Sequence, residues 1–465
     1  MFSNNVLVNR AVLCGVCLSG TVLVVGMLLA FGPLMTVAAA FCALCLVYLF
    51  KKPKRLVYAQ IIYCCVYKLL ISDFGLPTIL NYVTDLLTVV SLICAFSKVY
   101  REGRAVNWGL TGKAIGLFSC IALFSAITGG QGIVLSVWAV RNIFRMFAFF
   151  YSCAVLLDSA DLRKLARIFT VIYVANICLG AYQGLVLHLG TDNISGFFGT
   201  ETGGNAGMAL LIIVASTFAV FGYINDEVRA VTAFAVIASS CFIAAIADLK
   251  VYYIELVLLL ILAVCLNRLK IKGIVVVLVF PLVIALAIGY FYSISPEGKD
   301  FFTVDSIMGY AGEGGYSNET NLNRFTAVQT LQSLFFPSMP DALFGMGLGA
   351  GQFSQFFESD TYALWGLALR WNWFTDAAIF LEMGWMGLIS YALIFISMMA
   401  RAFRARKEVC PEQAWVCRSV AAFGFFCLVM FVYNCVLTVE PGCYLAAFIL
   451  SIPYVLSKKE VYGDD

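Results

Sequence analysis

The chain is poor in charge. Only 12% of its 465 residues are Asp, Glu, Lys or Arg, against about a quarter in a soluble globular protein. It has a single histidine, His188, and only 10 prolines. The acids are scattered, and no Asp-x-Asp spacing occurs. The scarcity of charge excludes a soluble enzyme, a nucleic-acid binder and a disordered chain. The lone histidine and scattered acids leave no metal site in view, so no metal and no cofactor is expected. Net charge is +3, too near neutral to name a partner. Apolar residues make up 62% of the chain, and mean hydropathy is +0.93.

The apolar residues fall in runs of roughly 20, the length that crosses a hydrocarbon core as a helix. These runs predict an all-α polytopic membrane protein. The spans lie at about 11–30, 34–50, 56–71, 78–97, 110–127, 137–157, 166–187, 207–224, 230–247, 251–266, 273–293, 377–400, 417–437 and 442–457. That is about 14 spans, with 12 or 13 as the lower count because several runs are short. The run after Arg10 reads as an uncleaved first span, and residues 1–465 read as one membrane domain. Cysteine is plentiful, 17 in all, but most sit inside apolar runs, including Cys14/Cys17 and Cys42/Cys45; they read as small packing residues.

Placing the N-terminus in the cytoplasm puts 23 of the 30 Lys and Arg in inside segments and both termini inside. The exceptions are Lys68, Arg141, Arg145, Lys250, Lys299, Arg324 and Arg370. A cation within the bilayer costs ~2.5–3.5 kcal/mol on insertion scales, so each needs a partner or a route to the interface. Residues 294–375 form a large outer loop between the eleventh and twelfth spans. It is rich in acids and aromatics, Trp371 and Trp373 among them. Carboxylates accept hydrogen bonds from hydroxyls, and rings stack on sugar C–H faces, so the loop suits a carbohydrate; interfacial anchoring is the other reading.

Five features carry possible chemistry. Arg141 and Arg145 stand four apart, on one helix face. They form either a phosphate clamp or salt bridges with Asp73 or Asp85. Lys250 lies between two spans with almost no loop, near Asp248 and Glu255; it forms an ion pair or faces a diphosphate. The stretch from Arg324 to Gly351 holds an arginine, an amphipathic piece at 324–336, a Pro-x-x-Pro break, then Gly345, Gly347, Gly349 and Gly351. No strand precedes these glycines, which excludes nucleotide binding of the βαβ kind. Asp376 opens the twelfth span and Glu382 lies inside it, followed by Gly384 and Gly387, suited to close helix contact. The run 196–207, GFFGTETGGNAG, is either a flexible connector or an anion-binding nest.

In this order along the chain, the features resemble the O-antigen polymerase and O-antigen ligase superfamily over roughly residues 110–400. Arg324 to Gly351 resembles the family's stretch in its large periplasmic loop. Asp376 to Gly387 resembles the E-x-G-x-x-G helix that follows, and Gly199 to Asn205 resembles an earlier Gly/Asn-rich loop. Ligases carry a histidine just before that helix; LRWNWFTDAAIFLEMG has none, and its Thr-Asp pair looks more like the polymerases. Lys250 stands where many members show arginine, and 189–206 lacks the arginine of well-known polymerases.

The resemblance implies a GT-C-like bundle in the bacterial cytoplasmic membrane. It implies a metal-independent glycosyltransferase acting on undecaprenyl-diphosphate-linked repeat units for O-antigen, capsule or exopolysaccharide. Arg141, Arg145, Lys250 and Arg324 would bind the diphosphate, and Asp376 or Glu382 would act on the acceptor hydroxyl. Gly345, Gly347, Gly349, Trp371 and Trp373 would belong to the glycan-facing loop. Membrane lipid, a chain-length regulator and other assembly proteins are the expected partners. A ligase within the family and a flippase of lipid-linked sugars are the alternatives.

Overall fold

The computed structural model describes residues 52–103, 106–200, 204–267 and 320–458, with a few isolated residues between 273 and 289. The expected spans at 11–30 and 34–50, most of 273–293, and the first part of the outer loop, 294–319, lie outside the described residues. The chain divides into Met1–Leu56 and Val57–Asp465. Of the first unit only 52–56 is described, and helix α1, Lys54–Ser72, begins there.

A 3-10 turn at Thr78–Tyr82 leads into α2, Val83–Glu102. Then come α3, Gly109–Thr128, α4, Ile133–Leu156, and α5, Ser159–Leu185. Helices α6, Asn205–Ile224, α7, Ala230–Ile246, and α8, Lys250–Leu266, follow. Two short helices, α9 (Ala327–Phe335) and α10 (Met339–Phe344), precede the long α11, Thr375–Ala405. The chain continues through α12, Ala414–Tyr433, and α13, Gly442–Leu456. Among the described residues there is no strand, only an isolated bridge between Phe353 and Glu358. Among the described residues, eight helical segments are long and apolar enough to cross a membrane, so this is a multi-pass helical membrane protein.

Local sequence explains the ends. Asp158 and Asp161 form a capping box that starts α5, with the Asp158 N–H donating to Asp161 Oδ2 at 3.0 Å. Gly103, at φ 62°, ends α2 in the left-handed region that favours glycine. The apolar runs 417–437 and 442–457 look nearly continuous in sequence. In the structure α12 stops at Tyr433, and 434–441 forms a turn. Asn434 closes it, its side chain accepting from the Val436 N–H at 3.0 Å.

Helix α11 is the spine, packed along α12 and α3; α4 packs on α2 and α13. The described part of the expected outer loop, 320–374, is not an open lid. It folds onto the first half of α11 through Leu322, Val328, Leu331, Phe336, Tyr362, Trp371 and Phe380. The amphipathic piece expected at 324–336 is α9, whose Val328 and Leu331 are buried in that core.

Candidate functional site

The site is built at the end of the bundle where α11 begins. Arg141 and Arg145 lie on α4, one helical turn apart. Arg141 Nε donates to Asp85 Oδ2 on α2 at 2.9 Å, and Nη1 donates to Asn142 Oδ1 at 2.7 Å. Arg145 donates to the Glu440 carboxylate and to the Thr438 carbonyl. The Tyr67 hydroxyl donates to the other Glu440 oxygen at 2.9 Å, and Arg141 Nη2 lies 3.6 Å from Glu440. Of the two acids considered for these arginines, Asp85 is the partner of Arg141. Asp73 instead accepts from Ser72 and Thr200.

The two arginines are unequal. The Arg145 and Glu440 side chains are 9% and 5% exposed, a closed pair with extra hydrogen bonds on both members. Arg141 is 23% exposed. Its guanidinium lies over the Trp138 ring, 4.5 Å from the centroid, and 5.6 Å from that of Tyr82. Arg141 is therefore the member that a ligand can reach, and Arg145 fixes the turn beside it. Glu440, the hub, does not stand out in the sequence. It is the acid of Thr-Val-Glu-Pro-Gly between the last two apolar runs, and that isolation was the available signal.

Arg324 reaches the same turn. Its guanidinium stacks on the Tyr433 ring at 4.0 Å, and Nη1 donates to the Tyr433 carbonyl at 3.1 Å. The next carbonyl, Asn434, accepts from the Thr375 hydroxyl at 2.8 Å and the Thr375 N–H at 3.1 Å. The turn between α12 and α13 thus gathers Arg324, Arg145 and the start of α11. Asp376 follows immediately; it is 5% exposed, and its carboxylate accepts from the Ala377 N–H at 2.7 Å.

Glu382 serves the glycine-rich loop. Its Oε1 accepts from the Gly351 N–H at 3.2 Å and from Gln352 Nε2 at 2.8 Å, and the residue is 1% exposed. Gln352 Oε1 in turn accepts from Asn142 at 2.7 Å, so a side-chain relay runs from Arg141 through Asn142 and Gln352 to Glu382. Two residues on, α11 breaks at Gly384, φ 61° and ψ −161°. The break is covered by the loop and α3: the Met346 N–H donates to the Leu381 carbonyl at 2.9 Å. The Gly347 N–H and the Ser125 hydroxyl donate to that of Glu382, at 3.1 and 2.7 Å.

The glycines permit this close approach. A Cβ on Gly384 would stand 2.3 Å from the Ala342 carbonyl oxygen of α10, and one on Gly347 2.4 Å from the Gly129 Cα. Gly345 abuts the Glu382–Met383 backbone and Gly349 the Leu135–Ser136 backbone. Gly345, Gly347 and Gly349, expected in the glycan-facing loop, thus stand against backbone of α3, α4 and α11. Trp371, also expected in that loop, is 1% exposed in its core, and its Nε1 donates to the Gly351 carbonyl at 3.1 Å. Trp373 is partly buried against the same core, with the Arg370 guanidinium over its ring at 4.7 Å.

Lys250 belongs to a separate neighbourhood. Its Nζ pairs with Asp248 Oδ2 at 3.2 Å. Burial pushes the Asp248 carboxyl up, Lys250 opposes that, and the nearby Asp192 adds to it. Asp192 belongs to the connector ahead of α6, where it accepts weakly from Asn205 at 3.4 Å. That connector is pinned, not loose, up to Thr200. Gln183 bonds both Gly196 and the Ser195 N–H, and Asn176 Oδ1 accepts from the Phe197 N–H at 2.8 Å. Irregular backbone packed among membrane helices requires such side-chain partners. The segment 201–203 lies outside the described residues.

Among the described residues no group of three or more His, Cys, Asp or Glu is placed to hold a metal. Compared with protein-family models and with curated proteins, the chain matches none.

Proposed function

We propose that the protein is a polymerase of lipid-linked oligosaccharide repeat units, working at the outer face of a bacterial cytoplasmic membrane with both termini inside. The reading takes in a GT-C-like bundle of about 14 spans, as the apolar runs suggest. The observation that carries it is the convergence of Arg141, Arg145 and Arg324 around one turn at the start of α11, with Arg141 partly open. A cationic site beside a folded aromatic loop suits a lipid diphosphate carrying sugars.

In the reaction, an acceptor hydroxyl oxygen bonds to the anomeric carbon of the growing glycan. The bond from that carbon to the diphosphate oxygen breaks, and the lipid diphosphate leaves with the electron pair. Diphosphate is already a good leaving group, so the protein's task is to hold it, neutralise its growing charge and orient the acceptor. Arg141 and Arg324 take the diphosphate, while Arg145 and Glu440 hold the turn between them. Asp376, at the start of α11, is the residue to receive the hydroxyl proton. Lys250, at the start of α8 and apart from the three arginines, is a further cation of this reading. A chain-length regulator and other assembly proteins are the natural partners.

The test is deletion of the gene in its host, with complementation by wild type, Arg324→Ala or Lys250→Ala and gel analysis of surface glycan. A polymerase leaves single repeat units on their normal acceptor and no long chains. Polymer accumulating on the lipid carrier means a ligase. Single units trapped inside mean a flippase, and that result sinks the proposal.

A further inference from the structure

At the opposite end of α11 lies a cavity of about 120 Å³, between α11 and the start of α3. Asn107, Trp108, Ser397, Arg401, Arg404 and Glu408 line it. Trp108 forms its aromatic back, stacked on Tyr151 at 5.0 Å and tilted against Tyr454 at 5.5 Å. Arg401 is largely committed: it donates to Glu408 Oε1 at 2.8 Å and to the Ser457 hydroxyl. Its Nε is buried and, among the described residues, has no acceptor. Arg404 makes no side-chain hydrogen bond or ion pair among the described residues. Two cations and one acid leave the cavity with a net positive charge and spare N–H donors.

We propose that this cavity binds the phosphate of an anionic phospholipid headgroup. Guanidinium groups at a membrane-helix terminus, with donors to spare, match phosphate oxygens. A lipid is favoured over a soluble phosphate by the surface leading away from the cavity. Leu110 lines the cavity and is 50% exposed; Leu117 and Phe124, on the same face of α3 at seven-residue steps, are 47% and 46% exposed. This strip continues from the headgroup position as a track for an acyl chain. The inference is independent of the polymerase reading, because it concerns the other end of the bundle.

The experiment uses the full chain purified in detergent, with thermal unfolding followed as phosphatidylglycerol, phosphatidylcholine or inorganic phosphate is titrated in. Phosphatidylglycerol is expected to raise the unfolding temperature, and the other two to leave it unchanged. Arg404→Gln, at an exposed position, should weaken the phosphatidylglycerol effect about tenfold in concentration, as loss of one charge-assisted hydrogen bond implies. Lys407→Gln, an exposed cation in the following turn, should not. Glu408→Gln removes the competing carboxylate and should tighten binding, which keeps the test open if Arg404→Gln folds poorly. Equal effects of Arg404→Gln and Lys407→Gln would overturn the site. A shift produced by inorganic phosphate alone and lost in Arg404→Gln would overturn the lipid as its ligand.

Discussion

Arg145 of α4 and Glu440 of the α12–α13 turn form a closed ion pair, and each has a second partner: Thr438 for the arginine, Tyr67 for the carboxylate. Removing one member of such a pair strands the other charge, at a cost of about 3–5 kcal/mol. Arg145→Met and Glu440→Gln should each lower the unfolding temperature sharply in detergent. The double variant should cost less than their sum. Additive losses would mean that the two do not act as a pair.

Glu382→Gln and Glu382→Ala separate anchoring from chemistry. A glutamine keeps an oxygen for the Gly351 N–H, so folding and surface polymer should both survive. Alanine leaves Gly351 and Gln352 without their acceptor, and stability should fall by about 1–3 kcal/mol. If Glu382→Gln unfolds normally yet yields no polymer, Glu382 takes part in proton transfer.

Gly384→Ala and Gly347→Ala should both be severe, because the added methyl meets backbone at 2.3 and 2.4 Å and neither backbone can swing aside. Gly116→Ala, on α3 with nothing within 4 Å of the new methyl, is the control and should be neutral or slightly stabilising. Circular dichroism melts of the three purified variants check this.

Trp371→Phe should lower stability through the lost hydrogen bond to Gly351, by about 1 kcal/mol, while glycan chain length stays as in wild type. A change in chain length at unchanged stability would return this ring to the substrate.

Arg401, by its hydrogen bond and charge, and Arg404, by its charge, hold the Glu408 carboxyl below the usual carboxylate range. A carboxyl depressed in the folded state stabilises it above the unfolded pKa, and that contribution disappears as pH falls through the folded value. Wild type should therefore exceed Glu408→Gln in unfolding temperature at neutral pH, and the gap should close in acid, below the ordinary glutamate range. A gap that widens in acid would contradict the pairing.

Much of the helical frame was legible in the sequence, because apolar runs and their charged flanks follow directly from crossing a membrane. Helices α4, α6 and α7 lie within a few residues of the expected spans. The site was legible in its cations but not in their partners. Arg141 and Arg145 stand out as charges in apolar sequence, whereas Glu440 is 295 residues beyond Arg145 and sits in an ordinary connector. Periodicity carries no information about a pairing at that separation. The glycines at 345–349 were visible as a cluster, but their use depends on which backbone approaches them, and that is set by the break at Gly384. Trp371 was read from its place in a polar loop; the loop's own core, formed against α11, buries it.

The pairing also has an order in time. Asp85 is made before Arg141, so that arginine meets its counter-charge as soon as its own segment is inserted. Arg145 has no such provision, since Glu440 is translated near the end of the chain. Until the α12–α13 turn is made, Arg145 lacks the carboxylate it pairs with in the folded protein. A nascent chain truncated ahead of Glu440 should therefore be a substrate for membrane quality control.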